Sequence, residues 1–160
     1  MAPVKSMTGR LKSQRGAELI EFALIFPLLL LVVLGIIDFG FLFQRYEVLT
    51  NATREGARMA VLPGYTTPDV KSRVCSYLVG GGIPTTGCPG TNPSNPSVTV
   101  TNDTIAMPSG LPALQVKRVQ LTYSHNFMFI GPIIGLMGGT WSNSKAITTV
   151  AMMRKEVSTP

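Results

Sequence analysis

Gly16 and Ala17 stand at the end of a stretch holding Lys5, Arg10, Lys12 and Arg15, and Glu21 follows four residues after Ala17, just before a long apolar run. If anything is removed from this chain, the better candidate cut is ahead of the apolar run, after Gly16. Cutting after Gly16 would leave a positive amine on Ala17. Ala17 and Glu21 lie on one helix face, so in a bundle the Glu21 carboxylate of one copy could neutralise that amine on a neighbour and set the axial register between them. A second reading places Glu21 among phospholipid headgroups, where it needs no partner. The residues alone leave both readings open.

Cys75 and Cys88 form a second candidate pair. Two cysteines in a Gly/Pro-rich region of a chain with an export-like segment fit a disulfide in an oxidising compartment; the alternative is two unrelated small residues. Their spacing excludes a CxxC metal or redox site. Elsewhere the means for catalysis are sparse. His125 is the single histidine, and the acids beyond the apolar run are scattered as Glu47, Glu55, Asp69, Asp103 and Glu156. No Ser/His/Asp, metal-ligand or phosphate-loop spacing appears, and Gly80-Gly81-Gly82 follows a predicted helix instead of opening one. The chain therefore reads as a non-enzyme with no cofactor and no metal. Asn51-Ala52-Thr53 and Asn102-Asp103-Thr104 match the glycan acceptor pattern and are read as chance.

The elements that must position these residues begin with the apolar run. From Leu19 to Phe43 the only ionisable residues are Glu21 and Asp38, and Phe22 to Ile37 carry no charge. That uncharged part covers roughly 24 Å as a helix, and with its apolar flanks the segment of about 19–43 can cross a bilayer core of ~30 Å. It is too long for an ordinary secretory signal, and no small-residue cleavage site follows it. Pro27 cannot donate to the carbonyl of Ala23, so a bend or loosened backbone is expected there. A harmless kink and a built-in flexible point both fit. After Phe43, Tyr46, Leu49, Thr53, Ala57 and Ala60 recur at steps of three and four, which predicts that the same helix continues as a packing face until Pro63-Gly64. The first 16 residues read as flexible, with the helix beginning near Ala17.

Thr67-Pro68-Asp69 has the form of an N-cap, a first-turn proline and an acid, which predicts a short amphipathic helix over about 68–79 closed by the three glycines. Residues 80–97 read as an irregular loop that a Cys75–Cys88 bond would tie down, worth about 3 kcal/mol in the chain-entropy account. Period-two alternation then marks strands at Ser97–Thr101, around Val119, Leu121 and Tyr123, and over Ala146–Met153. Phe127 to Met137 is apolar but too short to span a membrane, and reads as a loop or short helix on the core or at the lipid surface. The expected fold class is α+β: a long kinked helix, a short helix and a small antiparallel sheet. The domain reading is a leader over 1–16, the long helix over 17–62 and an extracytoplasmic domain over 63–160.

Charge location excludes nucleic acid as a partner. The net charge is +6, but the four basic residues of the first 16 face no acid there, and the remainder has ten basic and eight acidic side chains. No polyanion surface follows from that balance. A basic stretch ahead of a first membrane helix favours a cytoplasmic amino terminus and a carboxyl-terminal part on the far side, although Arg45, Arg54 and Arg58 after the helix make the bias small.

In order, Arg15-Gly16-Ala17, Ile20-Glu21-Phe22-Ala23-Leu24, Pro27, Gly35-Ile36-Ile37-Asp38-Phe39-Gly40 and Asn51-Ala52-Thr53-Arg54-Glu55-Gly56-Ala57-Arg58 closely resemble the TadE-like family of bacterial pseudopilins. The resemblance covers about residues 15–61 and is looser beyond. It implies a pilin-like minor component of the Tad (Flp) branch of type IV pili, acting in adhesion and biofilm formation. It further implies removal of the leader after Gly16 by a prepilin peptidase of the inner membrane, and subunit packing through Glu21 with Phe22, Pro27 and Asp38. The implied partners are that peptidase, other pilins or pseudopilins, the inner-membrane assembly machinery and membrane lipid. The long carboxyl-terminal part departs from the very short major pilins of such systems and favours a minor, initiating or tip role. The competing expectation is a single-pass anchored protein whose exported domain binds a partner and never polymerises.

Overall fold

The computed structural model describes residues 9–85, 88, 95–108, 112–136, 138–140 and 143–155. Its elements run α1 (Gly9–Val61), α2 (Thr67–Gly80), β1 (Ser97–Ile105), β2 (Leu114–Asn126), α3 (Ile130–Leu136) and β3 (Ser144–Arg154), an α+β chain. Helix α1 starts at Gly9, earlier than the expected onset near Ala17. Arg10, Leu11, Lys12, Gln14 and Arg15 are all good helix formers and no proline separates them from the apolar run, so the helix propagates backwards past Gly16. It also continues through Pro27.

The chain divides into two compact units, one of residues 1–39 with 128–141 and the other of 40–127 with 142–160. In the second unit, β1, β2 and β3 form an antiparallel sheet in that order. Register aligns Val98 with Leu121 and Val100 with Val119, while Leu121 pairs with Thr149 and Tyr123 with Ile147. One face of the sheet thus gathers the apolar members of three alternating strands. Against it pack Leu49 and Ala52 of α1 with Val74 and Leu78 of α2, and, in a second cluster, Ala57 and Ala60 with Val70 and Val119. Burying a side chain such as Leu49, Leu78 or Leu121 contributes about 1.5–3 kcal/mol. The expected stripe on α1 holds for Leu49, Thr53, Ala57 and Ala60, which are buried, but Tyr46 is 51% exposed. The neighbouring Arg45 takes the inward position, its guanidinium donating to the Tyr123 hydroxyl and lying 5.6 Å from that ring's centroid.

Two features let the helix approach so closely. A Cβ on Gly56 would overlap the Val74 side chain and press on Val119, so only glycine fits where α1 crosses. One turn earlier, the buried Thr53 hydroxyl lies 2.7 Å from the Leu49 carbonyl and 2.7 Å from the Thr149 hydroxyl, giving polar atoms in the core their partners.

At the start of α2 the N-cap is Thr66, one residue before the expected Thr67. The capping box needs the acid at the third helical position, and Asp69 stands there only when Thr66 is the cap. Its carboxylate accepts from the Thr66 N–H at 2.8 Å and the Thr66 hydroxyl at 2.6 Å. Gly82, with φ of 73°, turns the chain at the other end so that the Ile83 N–H reaches the Leu78 carbonyl at 3.0 Å. Cys75 and Cys88 are joined with their Cα atoms 5.8 Å apart.

Two predictions follow from this packing and capping. Gly56→Leu should destabilise the second unit by about 1–3 kcal/mol through overpacking, read by thermal melting of the full chain in detergent. The Thr66 hydroxyl, and then the Thr66 N–H, hold the Asp69 carboxyl below the usual aspartate range. A depressed folded pKa means that this support for α2 is present above the ordinary value of about 3.9 and fades as pH falls through the lower folded value. Thr66→Ala should move the Asp69 titration, followed by carboxyl ¹³C NMR, up toward the ordinary range.

Candidate functional site

The first unit contains the apolar part of α1, and its surface is the reverse of a soluble helix. The most apolar window has a mean hydropathy of 2.8 and none of it is buried within the chain, so α1 is long and apolar enough to cross a membrane as a single pass. Leu24, Leu28 and Ile36 are each at least two-thirds or nearly two-thirds exposed, at 76%, 66% and 68%. Side chains that gain nothing from water on any face of a helix belong in lipid or against another apolar helix.

Along this surface the residues singled out from sequence fall into separate places. Gly16, Ala17 and Glu21 are helical and exposed, with open space where a Gly16 Cβ would sit. Phe22 is 61% exposed and leans on Phe26 of the next turn, ring centroids 5.4 Å apart. Asp38 lies four to five turns beyond Glu21, about 25 Å along the axis at helical rise. One chain therefore does not bring its two acids of the apolar run together.

Asp38 is 1% exposed, and its partners come from the far end of the sequence. Its Oδ1 accepts from the Met128 N–H at 3.0 Å, and its Oδ2 from the Phe129 and Ile130 N–H groups at 2.9 and 2.8 Å. These amides lead into α3 and are among those a helix start leaves without intrahelical acceptors. The carboxylate and the amides thus satisfy each other: a buried charge gains three donors, and a helix beginning gains a negative cap. The sequence could mark Asp38 as an acid needing a partner but not name that partner, because backbone amides 90 residues away carry no sequence signal. The apolar stretch beginning at Phe127 was the visible hint.

His125 is buried at the end of β2, its ring edge-on to Phe127 with centroids 5.2 Å apart. Among the described residues no three His, Cys, Asp or Glu side chains gather as a metal site would require. Between α1 and α2 a surface Glu55–Arg73 pair closes at 3.2 Å, worth little in water.

Asp38→Ala should release the Met128, Phe129 and Ile130 amides and cost about 2 kcal/mol or more in local stability, since buried donors would be left without acceptors. Hydrogen exchange of the full chain in detergent micelles reads this as faster exchange confined to those amides and α3.

Neither a curated protein nor a solved structure matches this chain. The geometry described above is carried by α1 from Gly16 onward, with its exposed apolar surface, its two acids and its close-packing Gly56. It is this helix, over residues 16–58, that matches the sequence model of a known family, that of the TadE-like proteins.

Proposed function

We propose that this protein is a minor pilin or pseudopilin of a Tad-type pilus, held in the inner membrane by α1 and contributing to pilus assembly, surface adhesion and biofilm formation. The observation that carries the proposal is the TadE-like match over residues 16–58 on a helix whose apolar surface is left uncovered by its own chain. The same surface that suits lipid suits stacking against other pilin helices, so a subunit can pass from bilayer to assembly without refolding.

In this reading a prepilin peptidase removes residues 1–16, leaving the leader's positive charge on the cytoplasmic side and the sheet domain outside. Glycine suits the cut for two reasons. It leaves room at the scissile bond, and it weakens the helix there by about 1 kcal/mol relative to alanine, which helps the peptidase unwind the chain into an extended strand. The new Ala17 amine then sits one helical turn from Glu21. Repeated in adjacent subunits, that acid and amine give an apolar bundle a charge pair that fixes axial register. Phe22 and Pro27 shape the packing surface between the two acids. The partners are the peptidase, other pilins or pseudopilins and the inner-membrane assembly machinery.

Intact-mass measurement of the membrane form should give an amino terminus at Ala17, and Gly16→Ala should slow or abolish processing while insertion persists. Glu21→Ala should leave cleavage largely intact and impair pilus assembly, read by counting sheared surface filaments. An untrimmed native chain, with filaments indifferent to its deletion, would instead indicate an anchored exported protein that does not polymerise.

A further inference from the structure

We infer that α3 and the turn before it form a second membrane-contacting element, a short apolar wedge that rests in the interface of a phospholipid bilayer beside the end of the spanning helix. The inference rests on the reading of α1 as a membrane anchor.

Four observations point to lipid. Asp38 follows directly on the uncharged run Phe22–Ile37, so the amides of Met128, Phe129 and Ile130 are tied to α1 where that run ends. Residues 126–144 contain no Asp, Glu, Lys, Arg or His, which removes the main cost of entering a bilayer interface. Met128, Pro132 and Gly135, at helical spacing of four and three, are exposed, with Met128 at 62%. This uncharged face belongs to the same compact unit as Ile36 and Phe39, which are themselves 68% and 49% exposed, so it continues the apolar surface of the anchor.

The backbone supplies a further and more restrictive condition. Irregular chain enters an apolar medium only where its polar groups have partners. At the start of α3 the amides are taken by Asp38. At its end, the Gly138 N–H donates to the Gly135 carbonyl at 3.1 Å and the Gly139 N–H to the Ile134 carbonyl at 2.9 Å. Backbone groups at both ends of this short helix thereby find partners within the chain. Asp38 acts as the positioning residue that sets the wedge at the membrane surface.

The test uses the full chain reconstituted into phosphatidylcholine/phosphatidylglycerol vesicles, with Trp141→Phe removing the native fluorophore. Single tryptophans are then introduced as Met128→Trp, Leu29→Trp within the span and Ser76→Trp on the exposed side of α2. Quenching by brominated phospholipids should be several-fold stronger at positions 128 and 29 than at 76, with position 128 responding most to bromines near the headgroups. Adding Asp38→Asn should weaken quenching at 128 while leaving position 29 unchanged. Strong quenching at 29 with none at 128 overturns the wedge and keeps the anchor. No quenching at 29 overturns the anchor reading and the wedge with it. A blue-shifted but unquenched tryptophan at 128 marks coverage by a second copy, and also overturns the proposal.

Discussion

A carboxylate with no access to water must find donors, and in this chain the acid that closes the apolar run finds them in three consecutive backbone amides. The arrangement is economical in groups. One side chain on α1 satisfies itself and the exposed beginning of α3, and it does so between residues 90 or more positions apart. Without it, either an ionised acid or a set of unpaired amides would remain in an apolar setting, each costing more than an ordinary hydrogen bond returns. Unit one, the apolar helix with the segment from Met128, is organised around this knot.

In the second unit a different constraint applies, namely how near a helix can come to a sheet. Small residues on α1 at 52, 53, 56, 57 and 60 remove the bulk that would hold it away, and Val70, Val74 and Val119 fill the space so released. The hydroxyls of Thr53 and Thr149 meet in that dry layer and satisfy each other and the Leu49 carbonyl. The same helix is therefore built twice over. Its first part presents large apolar side chains outward, where another helix or lipid can cover them, and its later part presents small ones inward, where a sheet already does.

Much of this plan was legible in the residues. The uncharged run from Phe22 to Ile37, the stripe through Leu49 and Ala60 and the period-two alternation at Val119, Leu121 and Tyr123 each reflect burial on a periodic surface, and periodic burial is what a sequence records well. Boundaries were less legible. The helix begins before Gly16 because Arg10, Leu11, Lys12, Gln14 and Arg15, with high helical propensity, extend it, and the cap of α2 moves to Thr66 because side-chain reciprocity with Asp69 decides between adjacent threonines. Tyr46 against Arg45 was a choice between neighbours on one turn, settled by which could reach Tyr123.

By itself the sequence determined the order of elements, the apolar anchor-like helix, the TadE-like signature and the position of the two acids along it, because all of these are properties of local spacing and composition. What only the tertiary structure decided is where each acid's partners come from. Within the chain Asp38 is enclosed by amides from the segment that connects β2 to β3, whereas Glu21 stays exposed on the helix surface. Backbone donors are the same at every residue, so no pattern of side chains can announce which of them a buried carboxylate will meet; only the path of the folded chain selects them.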